Sequence, residues 1–192
     1  MTELKRKTKE TDISLKFELY GKGKSEINTG IGFLDHMLTL FAAHGCFDLQ
    51  IKATGDLQVD AHHTVEDIGI TLGQAFYNEL GNKKGITRYG SFYLPMDEAL
   101  ALVCADISGR PYVVNNCAFP AEKIGELDSE LIGEFLYAFA FNAKITLHIN
   151  LIYGDNGHHI AEAVFKGMAR ALKTAAAKTG SDEVPSTKGI LE

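Results

Sequence analysis

Two short segments of this chain repeat one unusual pattern of potential metal ligands. HHTVE occupies residues 62–66 and HHIAE occupies residues 158–162, so the copies begin 158 − 62 = 96 positions apart in a chain of 192 residues. Imidazole and carboxylate groups are ligands for divalent transition ions such as Mn²⁺, Fe²⁺ or Zn²⁺, and the lack of nearby cysteine argues against a structural thiolate zinc site. The pattern also differs from the HExxH of zinc proteases. Two copies at half-chain spacing therefore predict a metal site built by an internal repeat.

The spacing inside each motif indicates how its members divide between ions. On a helix, residues four apart project within about 40° of each other, whereas adjacent residues are rotated by about 100°. The first histidine of each motif can therefore share an ion with the glutamate of the same motif. The second histidine, His63 or His159, points elsewhere and is predicted to reach a different ion. Each motif thus contributes to two sites.

The repeat predicts further ligands upstream of each motif. His36 precedes the first motif by 62 − 36 = 26 positions, and Glu134 precedes the second by 158 − 134 = 24 positions. Glu134 is thus the predicted counterpart of His36. The adjacent carboxylates Asp35 and Asp67 are predicted to accept hydrogen bonds from ligating imidazoles and so orient them.

The elements that must hold these residues occur twice in the same order. Alternating or β-branched runs predict strands over residues 13–20, 47–54, 91–95, 99–107, 111–119 and 145–154, and helical periodicity predicts helices over 30–45, 62–80, 126–143 and 158–177. Each HHxxE motif opens the second helix of its half. This order predicts an α+β fold in which two pseudo-symmetric halves, about 1–84 and 85–180, pack two sheets and two helix pairs into a single domain. A polar tail, 181–192, follows, and its composition is typical of a frayed end.

Composition narrows the class of protein. A 45% hydrophobic content suits a globular core, and the net charge of −6 disfavours nucleic acid or an anionic membrane as partner. Three widely spaced cysteines indicate reduced thiols rather than a disulfide framework. The charged segment MTELKRKTKETD lacks the apolar stretch of a signal peptide, so we expect a cytoplasmic protein.

Six motifs in this order connect the chain to a known family. GIGFLDHM, DAHHTVEDIGITLG, SGRPY, LHI, NGHHIAEAVFK and PSTKG together resemble imidazoleglycerol-phosphate dehydratase, and the similarity runs from about residue 10 to 189. The resemblance implies dehydration of D-erythro-imidazole glycerol phosphate to imidazole acetol phosphate in histidine biosynthesis. It also implies a duplicated fold of the ribosomal protein S5 domain 2-like type, two Mn²⁺ ions per active site and a 24-subunit assembly. The implied path runs through an imidazolate held by both ions and a diazafulvene-like intermediate.

The resemblance assigns metal ligands by matching motif. The ligands it implies are His36, His62, His63, Glu66, Glu134, His158, His159 and Glu162. Many family members have histidine where this chain has Glu134. A glutamate can still ligate Mn²⁺ through oxygen, so the chain departs from the family pattern at this position while keeping a potential ligand.

The resemblance also implies catalytic and substrate-binding roles. A general base is needed, and the match points to Glu10, with Glu66 and Glu162 as alternatives. Glu10, His36 and Asp97 are implied to contact the substrate. The phosphate is implied to bind a group of cationic and hydroxyl side chains, namely Arg88, Arg110, Lys166, Ser186 and Lys188. This assignment would make the tail a substrate-binding segment.

Two other functions use the same residues. A dinuclear metallohydrolase acting on a phosphate ester would need the same ligands and the same basic residues. A metal-storage or assembly protein would use the HHxxE motifs only to hold subunits together. Such a protein has no use for the PSTKG tail with Arg88, Arg110 and Lys166, so the sequence favours an enzyme.

Overall fold

Each half of the chain folds into the same order of elements in the computed structural model, which describes residues 1–191. The first half comprises β1 (Thr2–Lys7), β2 (Thr11–Glu18), β3 (Ser25–Asn28), α1 (Gly32–Gly45), β4 (Asp48–Gly55) and α2 (His62–Leu80). The second half comprises β5 (Tyr89–Met96), β6 (Ala99–Asp106), β7 (Tyr112–Asn116), a hairpin of β8 (Lys123–Ile124) and β9 (Leu127–Asp128), α3 (Glu130–Ala143), β10 (Thr146–Tyr153) and α4 (Gly157–Ala176).

The two four-stranded sheets have the same topology. Their strand orders are β1-β2-β4-β3 and β5-β6-β10-β7. In each sheet the last strand runs parallel to its neighbour and the other pairs are antiparallel. One face of β2 buries Ile13, Leu15 and Phe17, while the intervening side chains are exposed, as expected for a sheet covered on one side. The predicted duplicated α+β fold is confirmed.

The helices join the two halves. α2 packs on the first sheet and α4 on the second, while α1 packs against α4 and α3 against α2. Gly69 and Gly73 let α2 approach α3 closely, since a Cβ at Gly73 would lie 2.4 Å from the carbonyl oxygen of Phe139. Each helix pair therefore combines one helix from each half. Within residues 1–191, none of the helices combines the length and apolarity needed to cross a membrane.

Aromatic side chains form one continuous core across both halves. The Phe76 and Phe139 rings lie 5.6 Å apart, and Phe139 also contacts Phe41 at 6.1 Å. In the second half, Phe135 lies 5.3 Å from Phe165. All five rings are buried, so the fixed interior holds α1 and α4 in a definite relation.

Several elements differ from the sequence-based expectation. The strands β1, β3, β8 and β9 were not predicted, and the predicted helix over 126–143 begins only at Glu130. The TELKRK sequence of β1 alternates between half-buried and exposed side chains, but only Leu4 in it is apolar. One of the half-buried positions is occupied by Arg6, whose aliphatic carbons can cover apolar surface. Hydrophobic periodicity therefore does not reveal this strand. Residues 127–128 pair with β8 instead of continuing α3.

Candidate active site

Three of the predicted ligands converge where α1 packs against α4. The Nε2 atoms of His36 and His158 each lie 3.0 Å from Oε1 of Glu162. His158 and Glu162 are four residues apart in the first turns of α4, which places them on one face. The three potential ligand atoms lie within 4.8 Å of one another. This His36 cluster is the only group of its kind among residues 1–191.

The electrostatics of the His36 cluster keep its carboxylate ionised. The Glu162 side chain is 9% exposed, and the Lys166 ammonium contacts its second oxygen at 2.5 Å. Burial raises the pKa of Glu162, but the Lys166 ammonium and the two imidazoles outweigh burial and lower the pKa to about 2. The cluster therefore holds a charged carboxylate near two imidazole nitrogens.

The two histidines of each motif point in different directions. The rings of His158 and His159 are 6.2 Å apart and inclined at 83°, and those of His62 and His63 are 6.1 Å apart and inclined at 81°. This geometry follows from the rotation of about 100° between adjacent helical residues. Neither second histidine belongs to the His36 cluster.

The second histidines contact carboxylates that lie outside the helices. Nδ1 of His63 is 3.0 Å from Oδ2 of Asp56, and Nδ1 of His159 is 2.6 Å from Oε2 of Glu98. These hydrogen bonds raise the pKa of each histidine. The bond from His159 is the main cause that lowers the pKa of Glu98 to about 2. Both carboxylates are thus hydrogen-bond acceptors for an imidazole N–H.

The α2–α3 helix pair carries an open counterpart of the His36 cluster. α1 spans Gly32–Gly45 and α3 spans Glu130–Ala143, so a shift of 130 − 32 = 98 places Glu134 at the position of His36 (36 + 98 = 134). Glu134 is exposed on α3, which packs against the helix of the first motif. Among residues 1–191, its side chain, His62 and Glu66 make no hydrogen bond to one another.

The implied general base and the implied polar partner of the substrate lie beside the second histidines. Oε2 of Glu10 is 3.8 Å from Nδ1 of His63, and Oδ2 of Asp97 is 3.7 Å from Nε2 of His159. Their side chains are 53% and 71% exposed. The Glu10 backbone is fixed because its N–H donates to Oγ1 of Thr8. Both carboxylates are therefore placed at the surface next to a histidine.

Four of the five residues implied to bind phosphate lie at one end of the second sheet. Arg88 precedes β5 and donates through Nε and Nη2 to both oxygens of Asp106, at 2.7 and 3.1 Å. Its Nη1 also donates to the carbonyl of Pro185 at 3.0 Å, which brings the tail residues Ser186 and Lys188 to this end. Arg110 is exposed in the loop after β6, at the same end.

The fifth residue, Lys166, lies at the opposite end. Its Nζ is 3.4 Å from Sδ of Met96, which is the last residue of β5. β5 has eight residues, so at about 3.3 Å per residue the two ends are about 25 Å apart. One chain therefore does not bring the His36 cluster and the Arg88 end of the sheet together.

The tail forms hydrogen bonds with the segment between α2 and β5, which joins the two halves. Gly85 N–H donates to the carbonyl of Glu183 at 2.9 Å, and its own carbonyl accepts from Thr179 N–H at 2.8 Å. Nζ of Lys83, a buried side chain, donates to the carbonyl of Leu191 at 2.9 Å. The prediction of a frayed end, which rested on composition, is therefore wrong for residues 181–191.

The prediction that Asp35 and Asp67 orient imidazoles is wrong. Oδ1 of Asp35 accepts hydrogen bonds from N–H and Oγ1 of Thr29, which fixes the start of α1. Asp67 is buried and accepts from Nε of Arg6 and from Oγ1 of Thr11, which ties α2 to β1 and β2. Asp35 and Asp67 adjoin the predicted ligands His36 and Glu66 in the sequence, but their carboxylates stabilise the junctions between elements.

The sequence does not single out Asp56 and Glu98, the carboxylates that contact the second histidines, as site residues. Glu98 was detectable, because it precedes β6 by one residue as Glu10 precedes β2 by one residue. The repeat therefore makes it the counterpart of a residue already singled out. Asp56 has no such signal, since the equivalent position after β10 is Gly154.

Comparison with known proteins places the chain in a well-populated group. Residues 29–172 match the family model described as imidazoleglycerol-phosphate dehydratase. The proteins of that name from Acetivibrio thermocellus and Methylobacterium radiotolerans are 58% and 57% identical over 190 residues, covering 98% of this chain and 97% of each relative. The crystal structure of the Staphylococcus aureus enzyme has a TM-score of 0.82 and 46% identity, covering 92% of this chain and 98% of that one. That from Pyrococcus furiosus has a TM-score of 0.85 and 43% identity, covering 98% and 100%.

Proposed function

Because the chain belongs to the imidazoleglycerol-phosphate dehydratase family, whose members are hydro-lyases of histidine biosynthesis, we propose that it converts D-erythro-imidazole glycerol phosphate to imidazole acetol phosphate. The observation that carries the proposal is the convergence of His36, His158 and Glu162 on one point. A dehydratase that acts next to an imidazole ring needs positive charge near that ring, and two imidazole nitrogens beside an ionised carboxylate suit a bound cation.

The donor atoms of the His36 cluster fit a divalent transition ion. Two imidazole nitrogens and one ionised carboxylate oxygen form a mixed nitrogen and oxygen set, which suits Mn²⁺ and leaves positions open for other ligands. We propose two Mn²⁺ ions per active site. The remaining ligands are proposed to be His62, His63, Glu66, Glu134 and His159, which one chain alone does not bring to the His36 cluster.

The chemistry of the reaction explains a need for such ions. The hydroxyl that leaves is on the carbon attached to the imidazole ring, and the proton to be removed is on the next carbon, where no carbonyl group makes it acidic. Held by these histidines and glutamates beside the substrate, the ions would supply positive charge that stabilises the imidazole ring in its electron-rich, deprotonated form. The chain's own residues then need only hold the ring, accept the proton and assist departure of the hydroxyl, which leaves a diazafulvene-like species.

We propose Glu10 as the carboxylate that accepts the proton. Its side chain is exposed, and its only described contact with a histidine is a distance of 3.8 Å from His63. The alternative Glu162 is already engaged by two imidazoles and Lys166, so releasing it would break all three contacts. A general base must be free to approach the substrate, which favours Glu10 over Glu162 and leaves Glu66 as the alternative.

We propose that the active site is completed by a second copy of the chain. The Arg88 end of the second sheet provides two guanidinium groups and the tail, which suit a phosphate dianion. It lies about 25 Å from the end where Lys166 contacts Met96, much farther than one small substrate extends. A homo-oligomer, proposed to be a 24-mer, would join the Arg88 end of one chain to the histidines of its neighbour.

The reaction product tests this function and separates it from the alternatives. The Mn²⁺-loaded protein is incubated with imidazole glycerol phosphate, and the enolisable ketone and inorganic phosphate are measured in parallel. We expect the ketone without phosphate release from wild type, and a large loss of ketone from His158→Ala. Phosphate release would indicate a metallohydrolase, and neither product would indicate a storage or assembly protein.

A further inference from the structure

The second histidine of each motif is held at Nδ1 by a carboxylate from a loop. Asp56 follows β4 and contacts His63 at 3.0 Å, whereas Glu98 lies in the turn between β5 and β6 and contacts His159 at 2.6 Å. The two carboxylates come from different places in the two halves. The two halves thus form the same contact between histidine Nδ1 and a carboxylate from positions that are not equivalent. This recurrence indicates that the contact has a function of its own.

Such a contact determines what the other ring nitrogen can do. An imidazole that donates its Nδ1–H to a carboxylate presents Nε2 as a lone pair in a fixed direction, which is how proteins orient metal-ligating histidines. Glu98 is itself fixed, because its Oε1 accepts the backbone N–H of Asn156 at 3.0 Å. The side chain of Asn156 in turn accepts the N–H groups of His158 and His159 at the start of α4. The ring of His159 is thus held through its own helix start.

Structural stability does not account for Asp56. Its Oδ1 is buried and has no hydrogen-bond partner within residues 1–191, and a buried carboxylate oxygen left unpaired costs free energy. The other oxygen contacts only His63 among the described side chains. An arrangement that is unfavourable for folding points to a role in the site.

Comparison of the two halves shows how Asp56 changes the surroundings of Glu10. β2 begins at Thr11 and β6 at Ala99, a shift of 99 − 11 = 88, so Glu10 and Glu98 occupy equivalent positions (98 − 10 = 88). Glu98 is bonded to its histidine, whereas Glu10 stands 3.8 Å from His63 and is 53% exposed. In the first half the Nδ1 of the histidine is already taken by Asp56.

We propose that Asp56 and Glu98 are positioning residues that orient His63 and His159 toward a bound divalent ion, and that Asp56 thereby leaves Glu10 free for proton transfer. The proposal rests on the metal-dependent function above. It adds two residues to the site and explains why equivalent glutamates in the two halves have different surroundings.

Binding of Mn²⁺ alone tests the orienting role without any turnover. Calorimetric titration of the chelated full-length protein is compared for wild type, Asp56→Ala, Glu98→Ala, the conservative variants Asp56→Asn and Glu98→Gln, and Asp155→Asn. Asp155 is an exposed residue of the same loop as Asn156 and serves as the matched control. We expect about ten- to hundredfold weaker binding in the alanine variants, a smaller loss in Glu98→Gln, whose amide oxygen can still accept Nδ1–H, and no change in Asp155→Asn.

The outcomes of the titration separate the two claims. If wild type binds no Mn²⁺, the proposed function fails. If wild type binds Mn²⁺ and every variant binds it equally well, the function stands and the positioning role is wrong. If an alanine variant does not fold, Glu98→Gln and Asp56→Asn decide, because weakening relative to Asp155→Asn supports the role and unchanged affinity overturns it.

A double-mutant cycle tests the release of Glu10. With saturating Mn²⁺, Glu10→Gln is introduced into wild type and into Asp56→Ala, and kcat is measured. Without Asp56, Glu10 is free to accept a hydrogen bond from His63, as Glu98 accepts one from His159. We therefore expect Glu10→Gln to reduce kcat much less in the Asp56→Ala background than in wild type. Equal fold reductions in the two backgrounds would show that Asp56 does not act through Glu10.

Discussion

Replacing Glu162 by glutamine removes the charge at the centre of the His36 cluster without changing its shape. In the metal-free protein, the pKa of Glu162 is lowered from 4.5 to about 2, a difference of about 2.5 pKa units. Each unit corresponds to about 1.36 kcal/mol, so the ionised carboxylate contributes about 3 kcal/mol to the free energy of unfolding at neutral pH. Because the folded pKa is the lower one, this contribution is present above about pH 4.5 and is lost as pH falls through about 2.

Urea denaturation of the chelated protein at fixed concentration measures this contribution. We expect Glu162→Gln to lower the free energy of unfolding by about 3 kcal/mol at pH 7, and the deficit to shrink to less than about half of that by pH 3. Glu66→Gln is the matched control, since Glu66 occupies the equivalent place in the first motif and its side chain forms no hydrogen bond within residues 1–191. We expect it to change stability by less than about 0.5 kcal/mol. A Glu162→Gln variant as stable as wild type at pH 7 would refute the reasoning.

Three further predictions address the tail, the helix packing and the shared site. Deleting residues 184–192 removes the contacts of Pro185 with Arg88 and of Leu191 with Lys83. We expect kcat/KM to fall at least about tenfold while Mn²⁺ affinity is retained. An unchanged kcat/KM would exclude the tail from the phosphate site. Gly73→Ala should lower Tm through about 1–3 kcal/mol of overpacking, because its Cβ would lie 2.4 Å from a carbonyl oxygen, whereas Gly133→Ala meets only ordinary contacts at 3.6 Å and should not. Subunits carrying His158→Ala, reassembled with subunits carrying Arg110→Ala, should regain roughly a quarter of wild-type activity if sites are shared, and none if each chain forms its own.

The features that periodicity determines could be predicted from the sequence. α2 begins and ends where the pattern placed it, at His62 and Leu80, because its apolar residues recur at helical spacing and Gly81 ends the run. The equivalence of His36 and Glu134 also follows from the repeat, and the matching bounds of α1 and α3 agree with it. Local sequence determines such features, so no knowledge of tertiary contacts was needed.

The features that depend on tertiary contacts could not be predicted. β1 is bound to β2 by backbone pairing, and its charged sequence gives no apolar alternation. Asp35 and Asp67 are adjacent to helical positions of interest, yet their partners lie on other elements. The spacing of Lys166 and Arg88 in the sequence does not show at which end of the second sheet each side chain lies. Their separation therefore follows only from the fold.

Activity as a function of bound Mn²⁺ tests the central claim most directly. The protein is stripped with a chelator and reloaded stepwise, and formation of imidazole acetol phosphate is followed with the ion-to-chain ratio at each step. We predict negligible dehydration in the stripped protein and a rise that saturates at about two Mn²⁺ per chain. Full dehydration activity in the stripped protein would contradict the account, because the clustered histidines and glutamates would then have no part in the chemistry.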